Sequence, residues 1–573
     1  MHYFNSEKTS SVFSFGSLLF SLFVSGSFVC GGIVYSKIYL NEIIFSGWSS
    51  LCIAIACSAL LAITLYQICK LAYKSLFHFN IDISMTNDGF FAYVSMNAAW
   101  FAKTTGLLAL AWLPYLLLRF PGNVDPDTLW QLMQTHGLAA ASNHHPWFDT
   151  LFFSAFWWLG DALGNHAISI FLYAVFQIAL TAAALALVVI YLGFLGAPNQ
   201  IQRCSQLFFA LYPVIPLFAQ TMAKDMLFAP VFVFYFLGYF EIYRTRARCL
   251  RCRAFCSYFA LVCLLLMLTK KTGIYIIALC LLPLFFAVVR EWAIRLILIS
   301  IIPILLFVVW DKFLVPGWGV MDGSSAEMMS IPSQQVAFYL KLHSGELSDD
   351  EWRILNQVYE SPDQLPAVYT PGRADATKQL WKDKSSFRAK TEFAKWYLCT
   401  ALRHPKDFIL SVMALTLPIY YPDTMSEGDE SLLFYRDNLQ GSDTGDPGLE
   451  ATLISFSGGL ASSVSYQDFS VGIYRYPIVR HVSEAFNELY LSTMGLLPTL
   501  FSKCLFSWWI PLFIIAYLID KRCLSNLGLL VPIIVMLLTL MAGPIALPRY
   551  YVSFVYTAPL ALSAMFLKRP TLS

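Results

Sequence analysis

The sequence predicts an all-α membrane protein that crosses the bilayer many times and carries a large helical region outside the cytoplasm. Hydrophobic residues make up 58% of the 573 residues and charged residues only 13%, about half of the roughly 25% usual in soluble domains. The mean hydropathy is +0.61. Apolar runs of about 20 residues, the length that spans the hydrocarbon, recur along the chain. This composition excludes an ordinary soluble enzyme, a disordered chain and a coiled coil.

The apolar runs predict about 12 transmembrane helices with both termini in the cytoplasm. Segment 244–253 carries five arginines and is therefore expected inside. Two further apolar stretches, 145–160 and 408–421, contain polar residues and are predicted to lie at the outer interface rather than to span. The predicted spans are 12–36, 47–69, 104–120, 166–195, 205–221, 226–243, 254–269, 273–289, 293–312, 498–518, 526–543 and 551–567.

These spans divide the chain into four predicted parts. Residues 1–100 hold two spans and a cytoplasmic linker, and residues 101–312 form the membrane core, whose first outer loop is 121–165. Residues 313–497 form a mostly helical extracytoplasmic domain, and 498–573 hold the three C-terminal spans. Within the domain, Ser348 and Glu351 predict a capping box at the start of a helix, and the Ser-, Gly- and Asp-rich stretch 424–470 predicts a loop.

The outer loop contains an acidic motif, FPGNVDPDTLWQ. Asp125 precedes Pro126, which favours Asp125 as the N-cap of a helix that puts Asp127, Gln131 and Gln134 on one face. On the structural interpretation, both carboxylates complement only the helix dipole. On the functional one, Asp127 is a general base or, with Asp125, a metal ligand.

Two pairs of polar residues follow on the same predicted face. His144 and His145 either cap the interfacial helix or bind substrate beside Asp127. Lys224 and Asp225 form either a salt bridge at a helical hairpin or a phosphate ligand with the carboxylate that orients it.

Further cations lie in the later outer turns. Lys270 and Lys271 break the positive-inside pattern, which an anionic partner explains. Arg549, beside Tyr550 in a short outer turn, either snorkels or binds phosphate in a bidentate way. Several cations and one carboxylate on this face indicate an enzyme that takes a group from a lipid phosphate. The chain has no GxxxxGK[ST] motif for ATP.

The order of these motifs resembles the GT-C class of membrane glycosyltransferases, which includes the protein mannosyltransferases and the lipid A aminoarabinose transferase. It is more similar to a little-characterised bacterial GT-C-like family with a loop of the form PG…D(S/T)…Q…HHP. Segment 331–337 and the acidic helix at 348–353 match the external segment of that family. The chain departs from it before Gly273, where an Asn-rich turn is expected. The loop residues that match are Pro121, Gly122, Asp127, Thr128, Gln131, His144, His145 and Pro146, and the later ones are Lys224, Asp225, Arg549 and Tyr550.

The resemblance implies transfer of a sugar, with inversion, from a polyprenyl-phosphate donor to a glycan, lipid or protein acceptor outside a bacterial plasma membrane. Asp127 is then the general base, and Lys224 and Arg549 stabilise the leaving phosphate. No cofactor is required, although Asp125 and Asp127 would accommodate Mg²⁺ or Mn²⁺. No nucleic acid partner is implied. The residues expected to bind substrate are Gln131, His144, His145, Lys224, Asp225, Lys270, Lys271, Arg549 and Tyr550.

Three alternatives stay open. A transporter or flippase of a lipid-linked glycan predicts charges at mid-span and an internal repeat, whereas the unusual charges of this chain cluster at one face. A polysaccharide polymerase or ligase of another membrane fold would share the lipid-phosphate site and the large outer region. A non-catalytic envelope scaffold would tolerate the loss of Asp127.

Overall fold

The computed structural model describes residues 14–40, 48–77, 89–287, 289–422 and 496–567, with a few isolated residues between 482 and 493. Throughout these ranges the regular structure is helical, apart from one pair of two-residue strands. Within these ranges, seven helices are long and apolar enough to cross a membrane. The prediction of an all-α membrane protein is therefore confirmed. The predicted loop 424–470 lies outside the described residues.

The described helices are numbered in chain order. The first twelve are α1 Phe15–Val34, α2 Trp48–Phe77, α3 Phe90–Met96, α4 Ala98–Leu118, α5 Pro126–Thr135, α6 Trp147–Leu163, α7 His166–Phe194, α8 Asn199–Leu211, α9 Val214–Ala219, α10 Lys224–Arg244, α11 Arg253–Thr269 and α12 Gly273–Ala287. The next twelve are α13 Arg290–Val309, α14 Val315–Gly317, α15 Ser330–His343, α16 Asp349–Val358, α17 Asp375–Gln379, α18 Phe387–Arg403, α19 Pro405–Leu415, α20 Leu417–Tyr420, α21 Pro498–Phe501, α22 Ile510–Asp520, α23 Val531–Met541 and α24 Pro548–Ser563.

Short helical turns of other types adjoin these helices. Three π-helical turns continue α1, continue α13 and lead into α22; they are Tyr35–Tyr39, Trp310–Leu314 and Leu505–Trp509. The 3₁₀ turns are Arg248–Arg251, Ser325–Met329, Ser344–Glu346, Pro362–Gln364 and Leu524–Leu530.

Judged by length and composition, seven of the described helices qualify as membrane spans, compared with the twelve predicted. Three shorter apolar helices, Arg253–Thr269, Gly273–Ala287 and Leu505–Asp520, match predicted spans but have fewer than 18 residues. The twelve-span topology therefore stays a prediction. The seven long candidates are Phe15–Tyr39, Cys52–Leu76, Ala98–Leu118, His166–Phe194, Lys224–Arg244, Arg290–Gly317 and Leu524–Met541.

The predicted span over 205–221 is not a single continuous helix. Helix α8 ends at Leu211, Tyr212 is extended with ψ 109°, and the six-residue α9 begins after Pro213. The residue before a proline is driven out of the helical region, and proline has no N–H for the helix. Pro213 therefore explains the break.

Helix α10 is the centre of the helical bundle. It packs against α7, α11 and α24, and nearly all its residues from Asp225 to Ile242 are buried. Helix α2, in contrast, is mostly exposed and packs on α1, which in turn packs on α22. The first two helices are therefore peripheral to the bundle.

Residues 325–415 form what we call the polar helical layer, which has its own apolar core around Tyr339, Leu355 and Trp396. Its predicted capping box is confirmed. The Ser348 hydroxyl accepts from the N–H of Glu351 (3.4 Å), and the Glu351 carboxylate accepts from the N–H of Ser348 (3.0 Å). The layer is thus a folded helical unit rather than a set of loops.

The strand pair joins two parts of the chain that carry acidic motifs. Strand β1, Asn123–Val124, pairs in parallel with β2, Thr221–Met222. The carbonyl of Met222 also accepts from the N–H of Asp125 (3.1 Å) and the hydroxyl of Thr128 (2.8 Å). Because α5 and α10 begin just after these strands, their N-termini lie side by side.

We expect Gly122→Ala to disrupt this strand pair. Gly122 has φ +133°, and a Cβ there would lie 3.1 Å from the Ala174 Cβ and 3.2 Å from the Gln220 carbonyl oxygen. Strained backbone of this kind costs about 1–3 kcal/mol per residue, so thermal unfolding in detergent should occur at lower temperature. Gly106→Ala, at an exposed position in α4 with open space around it, is the matched control and should not lower it. Equal unfolding temperatures for the two variants would contradict the assignment.

Candidate functional site

Arg549, in the first turn of α24, joins three carboxylates that come from two other parts of the chain. Its guanidinium contacts Asp125 through Nη1, Asp127 through Nη2 at 2.7 Å and Asp225 through Nε at 3.4 Å. Asp125 is also the N-cap of α5, as predicted, because its carboxylate accepts from the N–H of Asp127 (2.9 Å). One cation therefore gathers the N-termini of α5, α10 and α24.

Two lysines complete this group, which we call the charge cluster. Lys224 Nζ lies 3.5 Å from Asp127 Oδ2 and donates to Nδ1 of His145. Lys270 Nζ lies 2.6 Å from Asp225 Oδ1 and 4.6 Å from the ring centroid of Tyr550. The cluster consists of Asp125, Asp127, Asp225, Lys224, Lys270 and Arg549. Its three carboxylates and three cations balance in formal charge.

Asp127 is the accessible carboxylate of the cluster. Its side chain is 31% exposed, compared with 1% for Asp125 and 2% for Asp225. The cations beside it are more enclosed, at 17% for Lys224 and 10% for Arg549. A molecule that approaches the cluster therefore meets the carboxylate of Asp127 first.

The cations hold Asp127 in its charged form. Burial raises the pKa of this carboxyl, but Arg549 and then Lys224 lower it more strongly, so the pKa lies well below its usual range. Asp127 is thus an anion throughout the physiological pH range. It can accept a hydrogen bond from a hydroxyl. Because its pKa is low, it would readily give up any proton that it accepts.

His145 is neutral in this arrangement. Burial lowers the pKa of its imidazole well below the usual range, and the charge of Lys224 lowers it further. Its Nδ1 lies against the ammonium of Lys224 and so accepts, which leaves the proton on Nε2. The predicted histidine of the loop therefore orients Lys224 beside Asp127.

The other predicted residues lie around the cluster rather than in it. Gln131 is fully buried and donates to the hydroxyl of Thr150 (2.8 Å), which ties α5 to α6. Lys271 Nζ donates to the carbonyl of Asn143 and lies 3.2 Å from Asp311. The adjacent lysines 270 and 271 thus have different roles, and direct contact of Gln131 or Lys271 with substrate stays a prediction.

His144 connects the loop to the polar helical layer. Its Nε2 lies 3.7 Å from Glu327 Oε1, and Glu327 in turn pairs with Lys378 at 2.6 Å. Glu327 is not among the predicted site residues, because no local sequence pattern distinguishes it from other accessible acids. His144 is thus positioned at the boundary between the layer and the outer loop.

Asp149 is a second residue near the cluster that is not among the predicted site residues. It is fully buried in α6, and neither carboxyl oxygen has a hydrogen-bond partner within the described part of the chain. Burial raises its pKa well above the usual range, so it is a neutral acid. An acidic residue in the aromatic run WFDTLFF was the available signal.

Asp125 and Asp127 do not fit a divalent cation in this arrangement. Both oxygens of Asp125 are in use, one on the N–H of Asp127 and the other on Arg549. Arg549 and Lys224 also lie on Asp127 Oδ2. A metal ion would have to displace the guanidinium and would face the charge of Lys224.

We expect Arg549→Lys to destabilise the fold although it keeps the charge. A lysine cannot form the fork that reaches Asp125, Asp127 and Asp225 together. Breaking a buried ion pair costs about 3–5 kcal/mol, so the unfolding temperature in detergent should fall markedly. Asp125→Asn added to Arg549→Lys should restore part of the loss. Exposed Arg353→Lys on α16 is the control, and an unfolding temperature for Arg549→Lys equal to that control would contradict the bridging role.

Acidification should also destabilise the chain through His145. Because folding favours the neutral imidazole, the unfolded chain binds a proton first as the pH falls below about 6.5, its ordinary pKa. Stability is therefore complete above that pH and is lost below it, by up to about 1.4 kcal/mol per pH unit for each such group. His145→Asn should reduce the slope of unfolding temperature against pH between about 6.5 and 5. Parallel slopes for the two proteins would contradict this role.

Comparison with known proteins assigns a family but no activity. No curated protein and no solved structure matches the chain. One family model matches residues 133–571, a range that begins after Asp125 and Asp127 and includes the other residues of the charge cluster. Since this range covers more than half of the 573 residues, the chain belongs to DUF6020, a family of unknown function.

Proposed function

We propose that the chain is a GT-C-like inverting glycosyltransferase. It moves a sugar from a polyprenyl-phosphate donor to an envelope glycan, lipid or protein on the extracytoplasmic face of a bacterial plasma membrane. The observation that carries the proposal is the exposed carboxylate of Asp127, set against Arg549 and Lys224 at the N-terminus of the long apolar helix α10. Asp127 can accept a proton, and the cations of Arg549 and Lys224 beside it are of the kind that binds phosphate.

The arrangement supports binding of the donor phosphate. Lys224 and Arg549 lie in the first turns of α10 and α24, and helix N-termini favour anions through their free N–H groups and dipoles. The side chains of Lys224 and Lys270 are 17% and 20% exposed, so part of each can be reached from outside. A lipid phosphate held here keeps its polyprenyl chain beside the apolar helices.

The transfer follows from these positions. The acceptor hydroxyl donates a hydrogen bond to Asp127 and attacks the anomeric carbon. The new carbon–oxygen bond forms as the bond from that carbon to the phosphate oxygen breaks, with inversion. The hydroxyl proton passes to Asp127 and, because this carboxyl is a weak base, on to the departing phosphate. Lys224 and Arg549 stabilise the charge that develops on that phosphate.

The polar helical layer is suited to select the acceptor. The N–H of Asn143 donates to the carbonyl of Met321 (2.8 Å), and the N–H of Ala374 donates to the carbonyl of Pro544 (2.8 Å). The layer and the segment leading into it thus contact the loop before His144 and the turn before Arg549. We propose that an acceptor enters along this boundary, where His144 meets Glu327.

The topology belongs to the same proposal. Twelve spans with both termini in the cytoplasm would place the charge cluster and the polar helical layer together on the extracytoplasmic side, where lipid-linked sugars are used without ATP. No metal takes part in the proposed step, since the carboxylates of Asp125 and Asp127 are already paired with Arg549.

Asp127→Asn should reduce sugar transfer by about 10²–10⁴-fold, because the amide cannot accept the proton. The measurement uses full-length protein in detergent, a panel of radiolabelled polyprenyl-phosphate sugars and a total envelope extract as the acceptor source. Adding Mg²⁺ or Mn²⁺ should leave the rate of the wild type unchanged.

The control is Asp350→Asn, which removes a carboxylate that is 84% exposed on α16 and should keep full activity. Equal transfer by wild type and Asp127→Asn would remove Asp127 as the base. Absence of transfer by the wild type from every donor would contradict the transferase proposal and favour a flippase or a scaffold.

A further inference from the structure

Three potential metal ligands meet in the polar helical layer, away from the residues of the charge cluster. His343 is the last residue of α15, and His404 and Asp407 lie at the corner between α18 and α19. His343 Nε2 is 3.1 Å from Asp407 Oδ2, and His404 Nδ1 is 3.9 Å from the same oxygen. All three ligand atoms lie within 4.8 Å of one another.

These separations fit a small tetrahedral ion. Zinc bonds to nitrogen and carboxylate oxygen are about 2.0–2.2 Å long, so two ligands of a tetrahedral zinc are about 3.3–3.5 Å apart. The two separations from Asp407 Oδ2, 3.1 and 3.9 Å, lie on either side of this value. The ion therefore needs only small side-chain shifts to be bound.

The surroundings of His343 also match a zinc ligand. Its second ring nitrogen, Nδ1, lies 3.2 Å from Glu346 Oε2. A carboxylate on the far nitrogen is the usual outer partner of a metal-bound histidine, because it fixes the tautomer and the ring orientation. With an ion on Nε2, Nδ1 would keep its proton and donate it to Glu346.

The three side chains remain accessible to an ion from solution. Their exposed fractions are 21% for His343, 30% for His404 and 17% for Asp407. Three protein ligands leave the fourth tetrahedral position for water. Two imidazoles and one carboxylate are ligand types that zinc accepts.

We propose that His343, His404 and Asp407 form a Zn²⁺ site and that Glu346 is a positioning residue for His343. The ion would fasten the end of α15 to the corner between α18 and α19, two elements that already pack together. The site shares no residue with the proposed transferase chemistry, so either proposal can fail alone.

The test uses the full-length protein in detergent, freed of metal with a chelator and titrated with ZnCl₂ by calorimetry. We expect one Zn²⁺ per chain, confirmed by elemental analysis, and a higher unfolding temperature with the ion bound. His404→Ala should weaken binding by more than about 100-fold, and Glu346→Gln by about 10–100-fold, the range found for outer partners of metal-bound histidines. Asp350→Asn, in the same layer, should bind as the wild type does.

Co²⁺ gives a measurement that needs no variant. It should bind the wild type with the visible absorption of a four-coordinate ion, and Zn²⁺ should displace it. Failure of the metal-free wild type to bind Zn²⁺ would overturn the proposal and leave a protonated His343 between Asp407 and Glu346. Equal affinity in His404→Ala would also overturn it. Tighter binding of Fe²⁺ than of Zn²⁺ would overturn the choice of metal, since two histidines and one carboxylate also suit iron.

Discussion

The guanidinium of Arg549 determines where three segments of the chain can lie. It is the shared partner of Asp125, Asp127 and Asp225, and the first and last of these are too deeply buried to stay charged without a partner. Because Asp125 also caps α5, the same contact sets where that helix begins and so where Asp127 is presented. A single side chain near the end of the sequence thus organises a motif near residue 125.

The strand pair explains how the helix ends can meet at the cluster. Strands β1 and β2, of two residues each, lie just before α5 and α10. Their pairing places the N-termini of the two helices side by side, so that the positive ends of both helix dipoles are adjacent. Their adjacent N-termini repel each other unless anions lie between them. The carboxylates of Asp125, Asp127 and Asp225 supply that charge, so the acidic residues stabilise the fold as well as forming a site. Only Asp127 retains an open side.

The features of the fold and the site that depend on neighbouring residues could be predicted from the sequence. The N-cap at Asp125 and the capping box at Ser348 follow from a few neighbouring residues, and both are confirmed. The different partners of Lys270 and Lys271 could not be predicted, since Asp225 and Asp311 reach them only through tertiary packing. For the same reason the sequence predicts only that Asp127, Lys224 and Arg549 lie on a common face, and not that they meet. Pro213 could have indicated the break between α8 and α9, but the apolar run around it favoured a single span.

Met321, just before the polar helical layer, and Ala374, within it, form backbone hydrogen bonds to two distant loops. Movement of the polar helical layer together with the segment that leads into it would therefore displace the loop before His144 and the turn before Arg549 together. Thermodynamic linkage makes such coupling reciprocal: a ligand that binds one arrangement of the loops more tightly shifts the affinity of any ligand of the layer by the same factor. The two hydrogen bonds thus give this part of the chain a direct backbone connection to both loops beside the charge cluster.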